Sequence, residues 1–216
     1  MDPERVAFER RLAGATFRDA AQTADFSSVL AEFKRQGCGM LVSGTVGEAT
    51  HSQVFRLLGG AADADRKRIV VTESNQAEAN RLLPSDVAPG DPDVRVLQVS
   101  DYVSLDGLRQ AVLEAAVGFD TRAGGLGAGQ CRLLVPDLKS VVDEGSLLDY
   151  EPFVRALATV IRGVRGMGYF HVHTDEVPPE FVEVFDGWIE LREGATGAQH
   201  RWHVPRDELT TNWMRL

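Results

Sequence analysis

Apolar residues in this chain fall into two rhythms. Short unbroken runs read as strands buried on both faces of a parallel sheet. They are Gly39–Ser43, Arg68–Thr72, Val94–Val99, Cys131–Val135 and Tyr169–Thr174. Between them, apolar residues recur at helical spacing, as in Val54, Phe55, Leu57 and Leu58, or Leu105, Leu108, Val112 and Leu113. Asp2 and Pro3 open a first helix that ends near Gly14, and residues 15–25 read as an irregular lead-in. A second helix spans about Phe26 to Gln36 and stops at Gly37. Thr50, His51 or Ser52 opens a third. Further helices cover Gln76–Leu83, with Pro84 as the stop, and about 105–117, capped by Ser104. Two more follow, one from Pro152 to about Arg165 and one from Pro178-Pro179 to Phe185. Trp188–Arg192 and Arg201–Val204 form a hairpin about Gly194–Ala198. Gly118–Gln130 has no periodicity and is either a functional loop or a spacer. Strands alternating with helices predict an α/β fold: one domain over 1–216, a mostly parallel sheet covered on both faces, and an antiparallel C-terminal hairpin.

The centre of that pattern is GMLVSGTVGEATHSQVFRLL, a strand, a glycine loop and a helix. This is the context of a phosphate-binding loop, in which backbone N–H groups and a helix N-terminus surround an anion. The loop runs Gly44, Thr45, Val46, Gly47, Glu48, Ala49, Thr50, His51. Set against G-x-x-x-x-G-K-[ST], Ala49 replaces the second glycine, Thr50 the lysine and His51 the magnesium-holding hydroxyl. Glu48 adds negative charge where polyphosphate would sit. Like charges about 4 Å apart repel by roughly 1 kcal/mol in water and by more at a partly dry site.

Charge sharpens the picture. The net charge is −9, and lysine occurs only at Lys34, Lys67 and Lys139 among the 23 cationic residues. Acid excess with few lysines is the balance of proteins working in near-saturating salt, and a GC-rich genome gives the same arginine bias. The acidity argues against nucleic acid as a direct partner. No apolar run reaches membrane-span length and MDPERVAFERR has no signal core, so the expectation is a cytoplasmic protein with no membrane contact. Cys38 and Cys131 are no disulfide framework; each starts a predicted strand, where cysteine behaves as a small hydrophobe.

The order of parts over about Phe26 to Val204 resembles the KaiC/RadA-like branch of the RecA superfamily of P-loop ATPases, in a haloarchaeal-type version with a degenerate loop. IVVTES places Glu73 where active members carry the water-polarising glutamate. CRLLVPD resembles the Walker B strand, with Asp137 at the magnesium-linked position. YFHVHTD is similar to the sensor strand, ending at Thr174, and FDGWIELRE to the closing strand. The resemblance implies a RecA-like three-layer fold with the sensor strand between the loop strand and the Walker B strand. With the loop eroded, it implies a non-catalytic regulatory or scaffold protein in cytoplasmic signalling, with no cofactor and a protein partner or homo-oligomer. The alternative is a weak ATP–magnesium binder or slow ATPase using Glu73, Asp137 and a borrowed cation such as Lys139.

Two further groups stand outside that scheme. His171, His173 and Asp175 share one face of a strand and offer a metal trio, but no other ligand-spaced His or Cys pair supports it, so no metal is expected. A metal-dependent hydrolase on His171 and His173 is the most distant reading. No serine lies in a G-x-S-x-G elbow. Trp188, Trp202 and Trp213 serve either as hairpin core and edge cover or as an interface anchor.

Overall fold

The computed structural model describes residues 17–62, 65–73, 76–139, 141, 146–195 and 197–216, with backbone only for 17–25. Its elements in chain order are α1 (Phe17–Gln36), β1 (Cys38–Ser43), α2 (Glu48–Leu58), β2 (Lys67–Thr72), α3 (Gln76–Leu82), β3 (Val94–Gln98) and α4 (Leu105–Ala123). These are followed by β4 (Cys131–Val135), α5 (Glu151–Gly163), β5 (Met167–Val172), α6 (Pro179–Val182), β6 (Gly187–Gly194), β7 (Gly197–Val204), β8 (Leu209–Thr210) and β9 (Met214–Arg215). The strands form one sheet in the order β3-β2-β4-β5-β1-β6-β7-β8, with β9 also on β7. Pairings from β3 through β6 are parallel, and β6, β7 and β8 close the sheet antiparallel.

Alternation along the strands builds the two faces. Leu41, Ile69, Val71, Leu133, Val135 and Phe170 point to the side covered by α4, α5 and α6. Met40, Val42, Val70, Leu134 and Tyr169 point to the other side, with Phe33, Val54, Phe55 and Leu82 of α1, α2 and α3. The mostly parallel α/β sheet with helices on both faces and a C-terminal hairpin is therefore the observed fold. β5 lies between β1 and β4, so Cys38 and Cys131 are a whole strand apart, buried and unbonded.

Several boundaries differ from the sequence pattern. The expected helix from Asp2 lies outside the described residues. Residues 17–25 are helical, so α1 starts nine residues before Phe26. Its end at Gly37 holds: Gly37 sits at φ +79°, and a Cβ there would come within 2.9 Å of the Arg162 Cα. Ser104 caps α4 as expected, its Oγ accepting from the Gly107 N–H at 3.2 Å. The helix then runs through Gly118 to Ala123, because the left-handed stop is Gly124. Half of the segment read as an aperiodic loop is thus helix. β5 ends at Val172, which leaves His173 and Thr174 past the strand.

The amino ends of the strands are tied by arginines, one buried and one part-buried. Arg68, 2% exposed, donates to the carbonyls of Gly59 (3.0 Å), Gly60 (3.3 Å) and Ala61 (2.8 Å), where α2 ends. Asp186 accepts from the Gly39 N–H at 2.8 Å and from Arg162 Nη2 at 2.6 Å.

Candidate functional site

The carboxyl ends of β1, β4 and β5 meet the loop between β1 and α2, the edge where open α/β sheets place ligands. Gly44 leaves β1 at φ +133°, and a Cβ there would lie 2.4 Å from the Leu191 carbonyl oxygen. Only glycine fits. Gly47, and not Thr50, His51 or Ser52, is the N-cap of α2, and it offers no side-chain cap. The helix starts at Glu48, an acid in the first turn where the helix dipole favours it. Glu48 also pairs with the exposed Arg81 at 3.1 Å.

Two of the loop's backbone donors and the Thr50 hydroxyl are engaged by carboxylates of the same chain. The Thr45 N–H donates to Asp175 Oδ1 at 3.0 Å. Glu193 Oε1 accepts from the Gly47 N–H at 3.4 Å and from the Thr50 hydroxyl at 2.8 Å. Val46 packs against the core on the α2 side, and Ala49 lies in the first turn of that helix. Beside the loop, an open cleft of about 490 Å³ is lined by Thr45, Asp175, Glu193, Arg192, Arg201 and Trp213.

The remaining expected residues separate into two groups. Glu73 is exposed past β2, and its backbone N–H donates to Glu78 Oε2 at 3.1 Å. Asp137 Oδ1 accepts the Lys139 N–H at 2.9 Å, closing the turn after β4. Thr174 Oγ1 makes a local turn, accepting the Glu176 N–H at 3.1 Å. These are local turn contacts of the kind Asp, Glu and Thr make. The tryptophans are hairpin core and cover. Trp202 is buried edge-on to Phe26, Trp188 Nε1 donates to Ser43 Oγ at 2.7 Å, and Trp213 lies under Arg192 and Arg201.

His171 and His173 do come together, and His51 joins them. The ring centroids are 4.8 Å apart for His51 and His171, 5.2 Å for His51 and His173, and 4.2 Å for His171 and His173. Phe55 walls the cluster from α2, 4.9 Å from His51. His51 Nε2 lies 2.9 Å from the Pro136 carbonyl oxygen, and His171 Nδ1 lies 3.0 Å from the same oxygen. Burial, reinforced by His173 and His51, pushes the His171 imidazole down to about 3, so it is neutral. Burial also lowers His51, against the Pro136 hydrogen bond and the nearby Asp137 carboxylate. The sequence signal for His51 was its i, i+4 spacing to Phe55, which puts both on the sheet-facing side of α2 once the helix start is known.

Among the described residues, no helix is long and apolar enough to cross a membrane. No curated protein matches the chain. The model of a family of unknown function, DUF7504, matches residues 37–191, from the start of β1 into β6 and across the loop and the three histidines, and the chain belongs to that family.

Proposed function

We propose that this chain is a non-catalytic, RecA/KaiC-like regulatory or scaffold protein of the cytoplasm, acting through a protein partner or a second copy of itself. The observation that carries this reading is the occupation of the loop. Asp175 and Glu193 accept the Thr45 and Gly47 N–H groups that a phosphate would need. A hydrogen bond to a charged group contributes roughly 1.5–3 kcal/mol, less where water competes. A polyphosphate would have to displace two carboxylates and then sit beside their charge and that of Glu48, with no lysine at position 50. The acidic, lysine-poor composition suits a saline cytosol, so the test belongs in molar salt.

Magnesium-ATP is titrated against the wild type, a Thr50→Lys/Ala49→Gly variant and an Asp175→Asn/Glu193→Gln variant. The expected result is no saturable binding to the wild type and measurable binding once lysine is restored or the two carboxylates are neutralised. Micromolar binding by the wild type, abolished by Asp137→Ala, would overturn this reading in favour of an ATPase.

A further inference from the structure

We propose that His51, His171 and His173 form a site for one divalent transition-metal ion of the zinc class, with the Gly44 carbonyl oxygen beside the fourth position. The argument starts from hydrogen-bond balance at a buried side chain. His171 is fully buried, and both of its ring nitrogens face carbonyl oxygens, Nδ1 at 3.0 Å from Pro136 and Nε2 at 3.3 Å from Gly44. An imidazole that binds a metal ion is neutral and has one N–H, so as a ligand it satisfies only one of them and keeps a lone pair on the other nitrogen. The shorter contact assigns the proton to Nδ1. The Nε2 lone pair then faces the Gly44 carbonyl oxygen, two acceptors with no proton between them. A buried acceptor facing an acceptor is costly unless a cation lies nearby.

The surroundings are those of a cation site. A histidine that binds metal through one nitrogen commonly donates its other N–H to a backbone carbonyl, which fixes the tautomer. His51 and His171 each place one ring nitrogen on the Pro136 carbonyl. One nitrogen from each of the three rings lies within 4.8 Å of the others. Among the described residues this is the one group of three or more potential ligands so spaced. A tetrahedral ion at the usual zinc–nitrogen distance of about 2.0–2.1 Å needs ligand nitrogens about 3.4 Å apart. Closure by about 1.4 Å or less is required, and His173, exposed and past the end of β5, has the freedom to supply it. The carboxylates acting on His51 are Asp137 and Glu48, both attractive to a cation. Three imidazoles select zinc, cobalt or nickel over magnesium or calcium, which prefer oxygen. The site is independent of nucleotide, so its test does not depend on the function proposed above.

Tag-free protein, stripped with chelator, is titrated with Zn²⁺ by calorimetry and with Co²⁺ by visible spectroscopy. The expected result is one ion per chain, a four-coordinate cobalt spectrum, and no competition from excess Mg²⁺. His51→Ala and His173→Ala each weaken binding by about a hundred-fold or more, since even outer-layer changes at metal sites cost about 10–100-fold. His203→Gln, on the hairpin, leaves it unchanged. Circular dichroism shows both alanine variants folded, since one residue is exposed and the other half-buried. Absence of zinc binding, binding undiminished in both alanine variants, or equal displacement by Mg²⁺ would each overturn the site.

Discussion

The two ends of the sheet handle buried polarity in opposite ways. At the amino ends, donors meet acceptors. Arg68 spreads its guanidinium over three carbonyls at the end of α2, and Asp186 gathers the Gly39 N–H and Arg162. Cys38 and Cys131 sit there too, and burial pushes both thiols up to about 12, which keeps them inert. At the carboxyl ends acceptors predominate. Two carbonyls face one neutral imidazole, two more imidazoles crowd beside it, and carboxylates fill the loop amides. A matched set of donors and acceptors holds a fold, whereas a surplus of acceptors has room for a cation. The difference explains why buried Arg68 is read as scaffold at one end and buried His171 as part of a candidate site at the other.

The comparison breaks most readily at Arg68. Arg68→Met keeps an unbranched apolar stem and removes the donors to the Gly59, Gly60 and Ala61 carbonyls. Each unsatisfied buried group costs about 1–3 kcal/mol, and some will reach water, so the expected loss is about 4 kcal/mol. Urea unfolding measures it, and zinc affinity in the folded variant should be unchanged. A loss below about 1 kcal/mol would show that the amino end is not held by this arginine.

Next in size is Gly44→Ala at the carboxyl end. The backbone there is open to glycine alone, and a new Cβ would collide with the Leu191 carbonyl. Strain of this kind costs about 1–3 kcal/mol, and the clash brings the expected loss to about 3 kcal/mol. The Gly44 carbonyl must also shift away from His171, so zinc binding should weaken in the same variant. Stability lost with zinc affinity intact would separate the loop from the histidines.

Asp186→Ala should cost about 2 kcal/mol. Breaking a buried pair is worth more, about 3–5 kcal/mol, but the Arg162 side chain is 33% exposed and can turn to water. The orphaned Gly39 N–H accounts for most of the effect. Thermal unfolding of Asp186→Ala and Asp186→Asn separates the two contributions. Asparagine keeps an acceptor for the N–H, and recovery of at least half the loss would locate the cost there.

The strands were legible in the chain because strands buried on both faces are written as unbroken apolar runs. Their order, and with it the separation of Cys38 from Cys131, came from the resemblance of the glycine loop, CRLLVPD and YFHVHTD to a known family and not from the apolar pattern. Stops made by glycine were legible at Gly37, but Gly118 misled, since it stays within α4 and Gly124 is the first glycine of that segment to adopt the left-handed turn. Residues 17–25 offer only Phe17 and the small Ala20, Ala21 and Ala24 at helical spacing, a stripe too weak to stand out from an irregular lead-in. The start of α2 was misplaced because side-chain caps are visible in a sequence, whereas Gly47 caps with backbone alone. That error of three to five residues left His51 in the loop, apart from His171 and His173. The pairing of Asp175 and Glu193 with the loop spans 130 and 143–146 residues of chain, and no local pattern encodes it.

The smallest effect tests whether the carboxylates of the carboxyl end act as scaffold as well. Glu190 on β6 accepts from Arg201 Nε at 2.5 Å and lies 3.0 Å from His203 Nε2. Burial raises its carboxyl, but the Arg201 and His203 hydrogen bonds and charges outweigh that and hold it below its ordinary 4.5. A carboxyl depressed in the folded state contributes stability that is present above its unfolded value and is lost as pH falls through the folded one. The pair is partly exposed and screened, so the contribution is about 0.5 kcal/mol. Wild type and Glu190→Gln should therefore differ by about that amount at neutral pH and converge as pH drops below 4.5. Molar salt should shrink the difference at neutral pH through screening. A gap that persists unchanged below the carboxyl's titration range would assign the role of Glu190 to packing, leaving the Glu190–Arg201 pair without a part in steadying the fold.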